Sequence, residues 1–159
     1  SACGARIGMI ATKNKAVLQT ALKFAQQRLS PPTVEQIGVA AMFDVEENYF
    51  TKVNIEYRKR RDTLVEGLNA IEGVRCHIPG GAFYCIVQLP VKDTDEFCEW
   101  MLRDFNFENE TVMMAPASGF YATEGKGKNE VRMAYVLNCN DLKKAIKCLE
   151  EGLKVYNSK

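Results

Sequence analysis

A change of period at Gly73 constrains this chain more than any other feature. Across residues 49–72 the apolar side chains Val53, Tyr57, Leu64, Leu68 and Ile71 fall at helical spacing, and Lys52, Lys59, Arg60 and Glu66 occupy the other faces. The glycine is a natural helix stop. Beyond it, residues 74–78 and 82–89 read as two strands separated by the turn Pro79-Gly80-Gly81. One long amphipathic helix running into short strands buries its apolar stripe most simply against a sheet.

The remaining sequence extends this pattern. Asp93-Thr94-Asp95-Glu96 is a helix start whose buried face is Phe97, Met101 and Phe105, with Trp100 also in the core by spacing. Residues 111–115 and 130–137 are two further strands, joined by a loop rich in Gly, Ser and Lys, and Asn140 is expected to cap a last helix carrying Leu142, Ile146, Leu149 and Leu153. The order helix, two strands, helix, two strands, helix predicts an α/β fold, α+β-like in detail, with helices on a small and mostly antiparallel sheet. Upstream, the apolar run 6–11 reads as a buried strand, and residues 15–27 as a helix with Val17, Leu18, Ala21, Leu22 and Ala25 on one face. Ser30-Pro31-Pro32-Thr33 breaks the chain, and helical periodicity resumes from Glu35 toward Phe43.

Composition excludes several classes of function. Of the 159 residues 47% are hydrophobic and 26% charged, which is ordinary for a globular protein and rules out a disordered tail, a collagen-like repeat or a coiled coil. Lys and Arg number 21 against 20 acidic residues, a net charge of +1 that leaves no electrostatic footprint for nucleic acid or a membrane surface. Tyr57-Arg58-Lys59-Arg60-Arg61-Asp62 therefore reads as a solvated helix face. No apolar stretch approaches the ~20 residues of a bilayer span, so a soluble chain is expected. The six cysteines form no CxxC pair and read as buried free thiols of a reducing compartment, and His77, the single histidine, has only Cys76 beside it, so no metal is expected.

Two arginines stand out. In Val131-Arg132-Met133-Ala134-Tyr135-Val136-Leu137, alternation puts Arg132 on one face with Ala134 and Val136. A guanidinium on an apolar face calls for an anion, either a structural carboxylate such as Glu130 or the carboxylate of a ligand held by the planar fork. Arg6, in Gly4-Ala5-Arg6-Ile7-Gly8, is flanked by glycines that allow close approach of a phosphate. Gly125-Lys126-Gly127-Lys128 lacks the spacing of a phosphate loop and reads as a mobile turn, and no GxSxG nucleophile signature is present.

In order, these pieces resemble the C-terminal part of a fold-type I, pyridoxal-phosphate-dependent aminotransferase of class I/II. The opening Ser1 to Gly8 resembles the end of that family's S-K-x…G-x-R-x-G motif. Further matches are Arg58-x-x-Arg61-Asp62 on the long interdomain helix, Gly80-Gly81-Ala82-Phe83-Tyr84 before a strand, Ala115-Pro116-Ala117-Ser118-Gly119-Phe120, and Glu130-Val131-Arg132-Met133-Ala134-Tyr135. The Ser-Pro-Pro-Thr and Ala-Pro-Ala-Ser-Gly-Phe segments look most like bacterial aspartate-type enzymes. The family's usual P-G-x-x-F-G loop is altered here to Pro116-Ala117-Ser118-Gly119-Phe120-Tyr121.

The resemblance implies an enzyme that moves an amino group from an amino acid to a 2-oxo acid, of aspartate/2-oxoglutarate type, as a cytoplasmic homodimer using pyridoxal 5'-phosphate. Arg6 would bind the cofactor phosphate, and Arg132, Phe83 and Arg28 the substrate, Arg28 through a distal carboxylate. Residues 1–45 would belong to the large cofactor domain and 46–159 to the small domain. The cofactor-anchoring lysine would precede Ser1, so these 159 residues alone are expected to hold no catalytic residue and to be inactive. Another transaminase, a lyase or synthase using the same cofactor, or a non-catalytic carboxylate-binding domain are the alternative readings.

Overall fold

The computed structural model describes residues 1–158, and the chain divides into two compact units, Ser1–Phe50 and Thr51–Lys159. In the first unit, helix α1 (Lys15–Gln27) begins where the Asn14 side chain accepts hydrogen bonds from the Ala16 and Val17 amides at 3.1 and 3.2 Å. The prolines end that segment, and α2 (Thr33–Ala40) runs into a short 3-10 turn over Ala41–Asp44. The strand expected over residues 6–11 does not form. A 3-10 turn over Cys3–Ala5 leads instead into irregular backbone, because no neighbouring strand in this unit is available to take up its amide and carbonyl groups. Among the described residues, none of 1–50 is fully buried, and Met9 is 82% exposed.

Helix α3 (Glu47–Asn69) opens in the first unit and runs on as the first element of the second. Gly73, at φ +78°, turns the chain out of the segment behind it, a conformation open to glycine at no steric cost. Strands β1 (Arg75–Cys76), β2 (Tyr84–Gln88), β3 (Ala115–Pro116) and β4 (Glu130–Ala134) form one antiparallel sheet in the order β1-β2-β4-β3. The strands are shorter than their apolar runs suggest. Residues 111–114 stay outside the sheet, and β1 is two residues long. Its outer edge is closed by Asn69, the last residue of α3, whose side chain accepts from the Cys76 amide and donates to the Cys76 carbonyl, each at 2.9 Å. A two-residue edge strand capped by a side-chain amide offers no free ladder for a second chain.

Along β2 and β4 the burial alternates strictly. Cys85, Val87, Val131 and Met133 point into the core, whereas Tyr84, Ile86, Arg132 and Ala134 face outward. The inward face shares its core with Leu64, Val65 and Leu68 of α3, with Phe97 and Met101 of α4 (Thr94–Arg103), and with Leu142, Leu149 and Leu153 of α5 (Cys139–Asn157). The expected α/β arrangement, helices on a small antiparallel sheet, is therefore observed. Phe105 is half-buried against the same core. Asp93 caps α4 as expected, accepting from the Asp95 and Glu96 amides. The cap of α5 is Asn138, not Asn140: its side chain accepts from the Asn140 and Asp141 amides at 2.9 and 3.1 Å, so the helix begins one residue earlier than Asn140.

The turn at residues 125–128 is fastened to the fold. The Thr94 amide donates to the Lys128 carbonyl at 2.7 Å, the buried Thr94 hydroxyl donates to the Glu130 carbonyl at 2.9 Å, and the Leu89 amide donates to the Asn129 carbonyl at 2.8 Å. Gly127, at φ +75°, sits where an added Cβ would come within 2.8 Å of the Ala117 carbonyl oxygen and closer still to the Tyr121 ring. Of the six free cysteines, four are buried as expected, but Cys3 is exposed and Cys139 half-buried, because both lie at helix starts and not on an apolar face.

Candidate functional site

Register decides what surrounds Arg132. In the β2–β4 ladder Arg132 is opposite Ile86 and Ala134 opposite Tyr84, so Tyr84 is the diagonal neighbour of Arg132 on the outward face. On the other side, β3 pairs Ala115 with Arg132 and leads into a 3-10 turn over Ser118–Phe120. The guanidinium consequently lies between two rings, its carbon 5.1 Å from the Tyr84 centroid and 4.7 Å from that of Phe120. Cation–π attraction to two faces holds the fork in place while its N–H groups stay available to an anion.

The structural ion pair considered for Arg132 is not formed. The Glu130 carboxylate accepts instead from the Tyr121 hydroxyl at 2.5 Å, a bond that raises the tyrosine's acidity constant above its ordinary value. Phe83 joins the cluster through Tyr84, the two rings meeting edge to face at 5.3 Å. Its position is fixed by the backbone around it: the Tyr135 amide donates to the Phe83 carbonyl at 2.9 Å, and the buried Tyr135 hydroxyl donates to the carbonyls of Ala82 and Gly81 at 3.0 and 3.3 Å. Arg61, ion-paired to Asp62 at 2.7 Å, donates to the Pro79 carbonyl at 3.3 Å, and Arg60, paired to Glu56, donates to the Val136 carbonyl at 2.6 Å. The basic run of α3 thus contacts loop carbonyls as well as solvent.

Arg6 and Arg28 come together in the first unit, where both line an open groove of about 1310 Å³ with Met9, Ile10, Leu22 and Pro31. Arg6 closes the 3-10 turn in the left-handed region, at φ +57°, and its guanidinium donates to the Cys3 carbonyl at 3.1 Å. Among the described residues it has no acidic partner, and a Cβ added at Gly4 or Gly8 would meet nothing within 4 Å, so the surroundings of Arg6 are open to a phosphate. Arg28 follows the last turn of α1. The structure therefore brings Arg132 and Phe83 together in the second unit, and Arg6 and Arg28 in the first. Sequence reasoning missed the two rings that hold Arg132. The signal was there in the alternation of Tyr84 and Ile86, but Phe120 reaches the arginine only through a turn that no periodicity reveals.

The family model for aminotransferase class I and II matches residues 1–149. The chain belongs to that family. An aspartate aminotransferase of Rhizobium meliloti is 24% identical over 163 residues, covering 95% of this chain and 37% of that protein. A probable aspartate/prephenate aminotransferase of Thermus aquaticus is 29% identical over 154 residues, covering 95% and 38% respectively. Among solved structures, an alanine aminotransferase of Pyrococcus furiosus aligns with a TM-score of 0.69 at 26% identity, over 90% of this chain and 36% of that one. The chain thus spans a little over a third of the length of these relatives. An alpha-aminoadipate aminotransferase of Thermus thermophilus, solved with a phosphopyridoxyl-leucine adduct, shares the fold with a TM-score of 0.72 at 22% identity.

Proposed function

We propose that this chain supplies the C-terminal portion of a pyridoxal-phosphate-dependent aminotransferase of aspartate/2-oxoglutarate type, with residues 1–45 belonging to the large cofactor domain and 46–159 forming the small domain. The observation that carries the reading is Arg132: a guanidinium held between the rings of Tyr84 and Phe120, on an outward sheet face, with no carboxylate partner among the described residues. Restraint by the two rings lowers the conformational freedom lost when a carboxylate binds. Arg132 would clamp the substrate α-carboxylate through two parallel hydrogen bonds, which fixes the orientation of the Cα–H bond, and Phe83 would form an apolar wall beside it.

Arg6 would hold the cofactor phosphate, for which the glycine-flanked backbone leaves room. When bound, pyridoxal phosphate supplies the electron sink for cleavage at the substrate Cα. Arg28, beside Arg6 in the same groove, would take a distal carboxylate, which a dicarboxylic donor has and alanine lacks. The names of the aspartate-type relatives support that donor class. The resemblance supports a homodimer. Six unpaired thiols suit a reducing cytoplasm, and no described helix is long and apolar enough to cross a membrane.

The test is donor preference of the intact enzyme with 2-oxoglutarate as acceptor. Aspartate should exceed alanine in kcat/KM by about tenfold or more, about 1.4 kcal/mol of differential binding. Transamination that favours alanine would remove the aspartate assignment, and absence of transamination with any donor would remove the function.

A further inference from the structure

Four cysteines are buried in the second unit, and the proposed site uses none of them. Two of the four meet. The β1–β2 register sets Cys76 opposite Val87, and Cys85 lies two residues away along β2 on the same inward side. That is a diagonal cross-strand pair, the relationship that lets longer side chains touch. Both are nearly covered, Cys76 at 7% and Cys85 at 4% exposure. Each thiol has a carbonyl to donate to, Cys76 to His77 at 3.6 Å and Cys85 to Met133 at 3.8 Å, and the two sulfurs also hydrogen-bond one another.

The contact treats the two thiols unequally. Donation from Cys85 pulls Cys76 below the ordinary thiol range, while making that bond, together with burial, pushes Cys85 up. Loss of the Cys76 proton thus leaves a thiolate with a donor already beside it, the arrangement of an attacking sulfur next to a resolving one. Cys98 provides the contrast. Burial and the nearby Asp95 carboxylate push its thiol up to about 11 with no sulfur to share the proton. The backbone permits closure. β1 is a two-residue edge strand, and residues 77–82, which follow it, are almost entirely exposed, so the short adjustment to disulfide geometry falls on a segment with little packing to lose.

We propose that Cys76 and Cys85 are a redox-responsive dithiol that closes to an intramolecular disulfide when a low-molecular-weight disulfide such as oxidised glutathione accumulates. The Cys76 thiolate attacks one glutathione sulfur, and the first glutathione leaves as thiolate. Cys85 then gives its proton to solvent and attacks the Cys76 sulfur of the mixed disulfide, expelling the second glutathione. Two protein thiols are oxidised, one glutathione disulfide is reduced to two thiols, and no other reactant is consumed. The closed bond loops residues 77–84, the segment that carries Phe83 and Tyr84. The chemistry is independent of the aminotransferase reading.

The experiment exposes the intact protein to graded ratios of oxidised to reduced glutathione, traps free thiols by acid quench and alkylation, and maps the peptides by mass spectrometry. The expected product is a Cys76–Cys85 cross-linked peptide pair that a dithiol reductant returns to two thiols, with Cys98 still reduced. Cys85→Ala should instead accumulate a glutathione adduct at Cys76, and Cys76→Ser should slow consumption of Cys85 by about tenfold or more. In the unmutated protein, phenylarsine oxide, which bridges paired thiols, should protect both from alkylation. Oxidation confined to Cys3 and Cys139, a stable glutathione adduct at Cys76 with Cys85 still present, or a link joining other cysteines would each overturn the proposal.

Discussion

Replacing Tyr135 by Phe isolates the hydrogen bonds that set the Phe83 loop. The Tyr135 hydroxyl has one hydrogen to share between the carbonyls of Ala82 and Gly81, at 3.0 and 3.3 Å, so the substitution removes one bond's worth of energy and not two. Both carbonyls belong to exposed residues and can recover water, which keeps the loss near the net value of a hydrogen bond, about 1 kcal/mol. The ring, with its edge contact to Tyr57 at 6.4 Å, is unchanged. Burial first, then the neighbouring Cys85, raises the Tyr135 acidity constant above 10, with Arg61 opposing. A group whose folded value is raised contributes stability that is complete below its unfolded value of about 10 and is lost as pH climbs toward the folded value. Urea denaturation at neutral pH should therefore place Tyr135→Phe about 1 kcal/mol below the parent, and that gap should narrow as pH rises above about 10, because the variant has no hydroxyl to ionise on unfolding. A variant as stable as the parent at neutral pH, or a gap unchanged through the alkaline range, would refute the reasoning.

Three other perturbations follow from the same contacts. Gly127→Ala should cost about 2–3 kcal/mol in denaturant titrations, since φ +75° and the Ala117 carbonyl within 2.8 Å of the new Cβ both oppose it. Asn69→Ala strips partners from the Cys76 amide and carbonyl and should cost about 1–3 kcal/mol, with hydrogen exchange accelerated at β1 before it changes in β4. Arg28→Ala in the intact enzyme should raise KM for dicarboxylic donors by about tenfold while sparing alanine, and equal losses on both would remove its proposed role.

How much of this was legible in the sequence depended on range. The helices over 15–27 and 94–103 and the long helix ending before Gly73 were readable because apolar spacing, an Asn or Asp cap and a glycine stop act within a few residues. The strand expected over 6–11 failed because a strand requires a partner, and composition cannot say whether one is present. Residues 111–114 show the same limit: an apolar run is necessary for a strand but the ladder decides its length. At the candidate site, alternation put Arg132 on the outward face, which the structure bears out, whereas its aromatic clamp depended on register with β2 and on a turn after β3. The contact between Cys76 and Cys85 was likewise hidden, because nine positions separate them and only the pairing of β1 with β2 joins them.

The central claim is that Arg132 clamps the substrate α-carboxylate, and one measurement tests it most directly: kcat/KM of Arg132→Ala in the intact enzyme, with aspartate and 2-oxoglutarate. Loss of a charge-assisted bidentate pair costs about 2–5 kcal/mol, so the efficiency should fall by about 30-fold to several-thousand-fold, with Arg132→Lys recovering only part of it because a single ammonium cannot reproduce the planar fork. An Arg132→Ala enzyme within about threefold of the parent would contradict the account, since that change corresponds to less than ~0.7 kcal/mol and leaves no room for a clamp on the carboxylate.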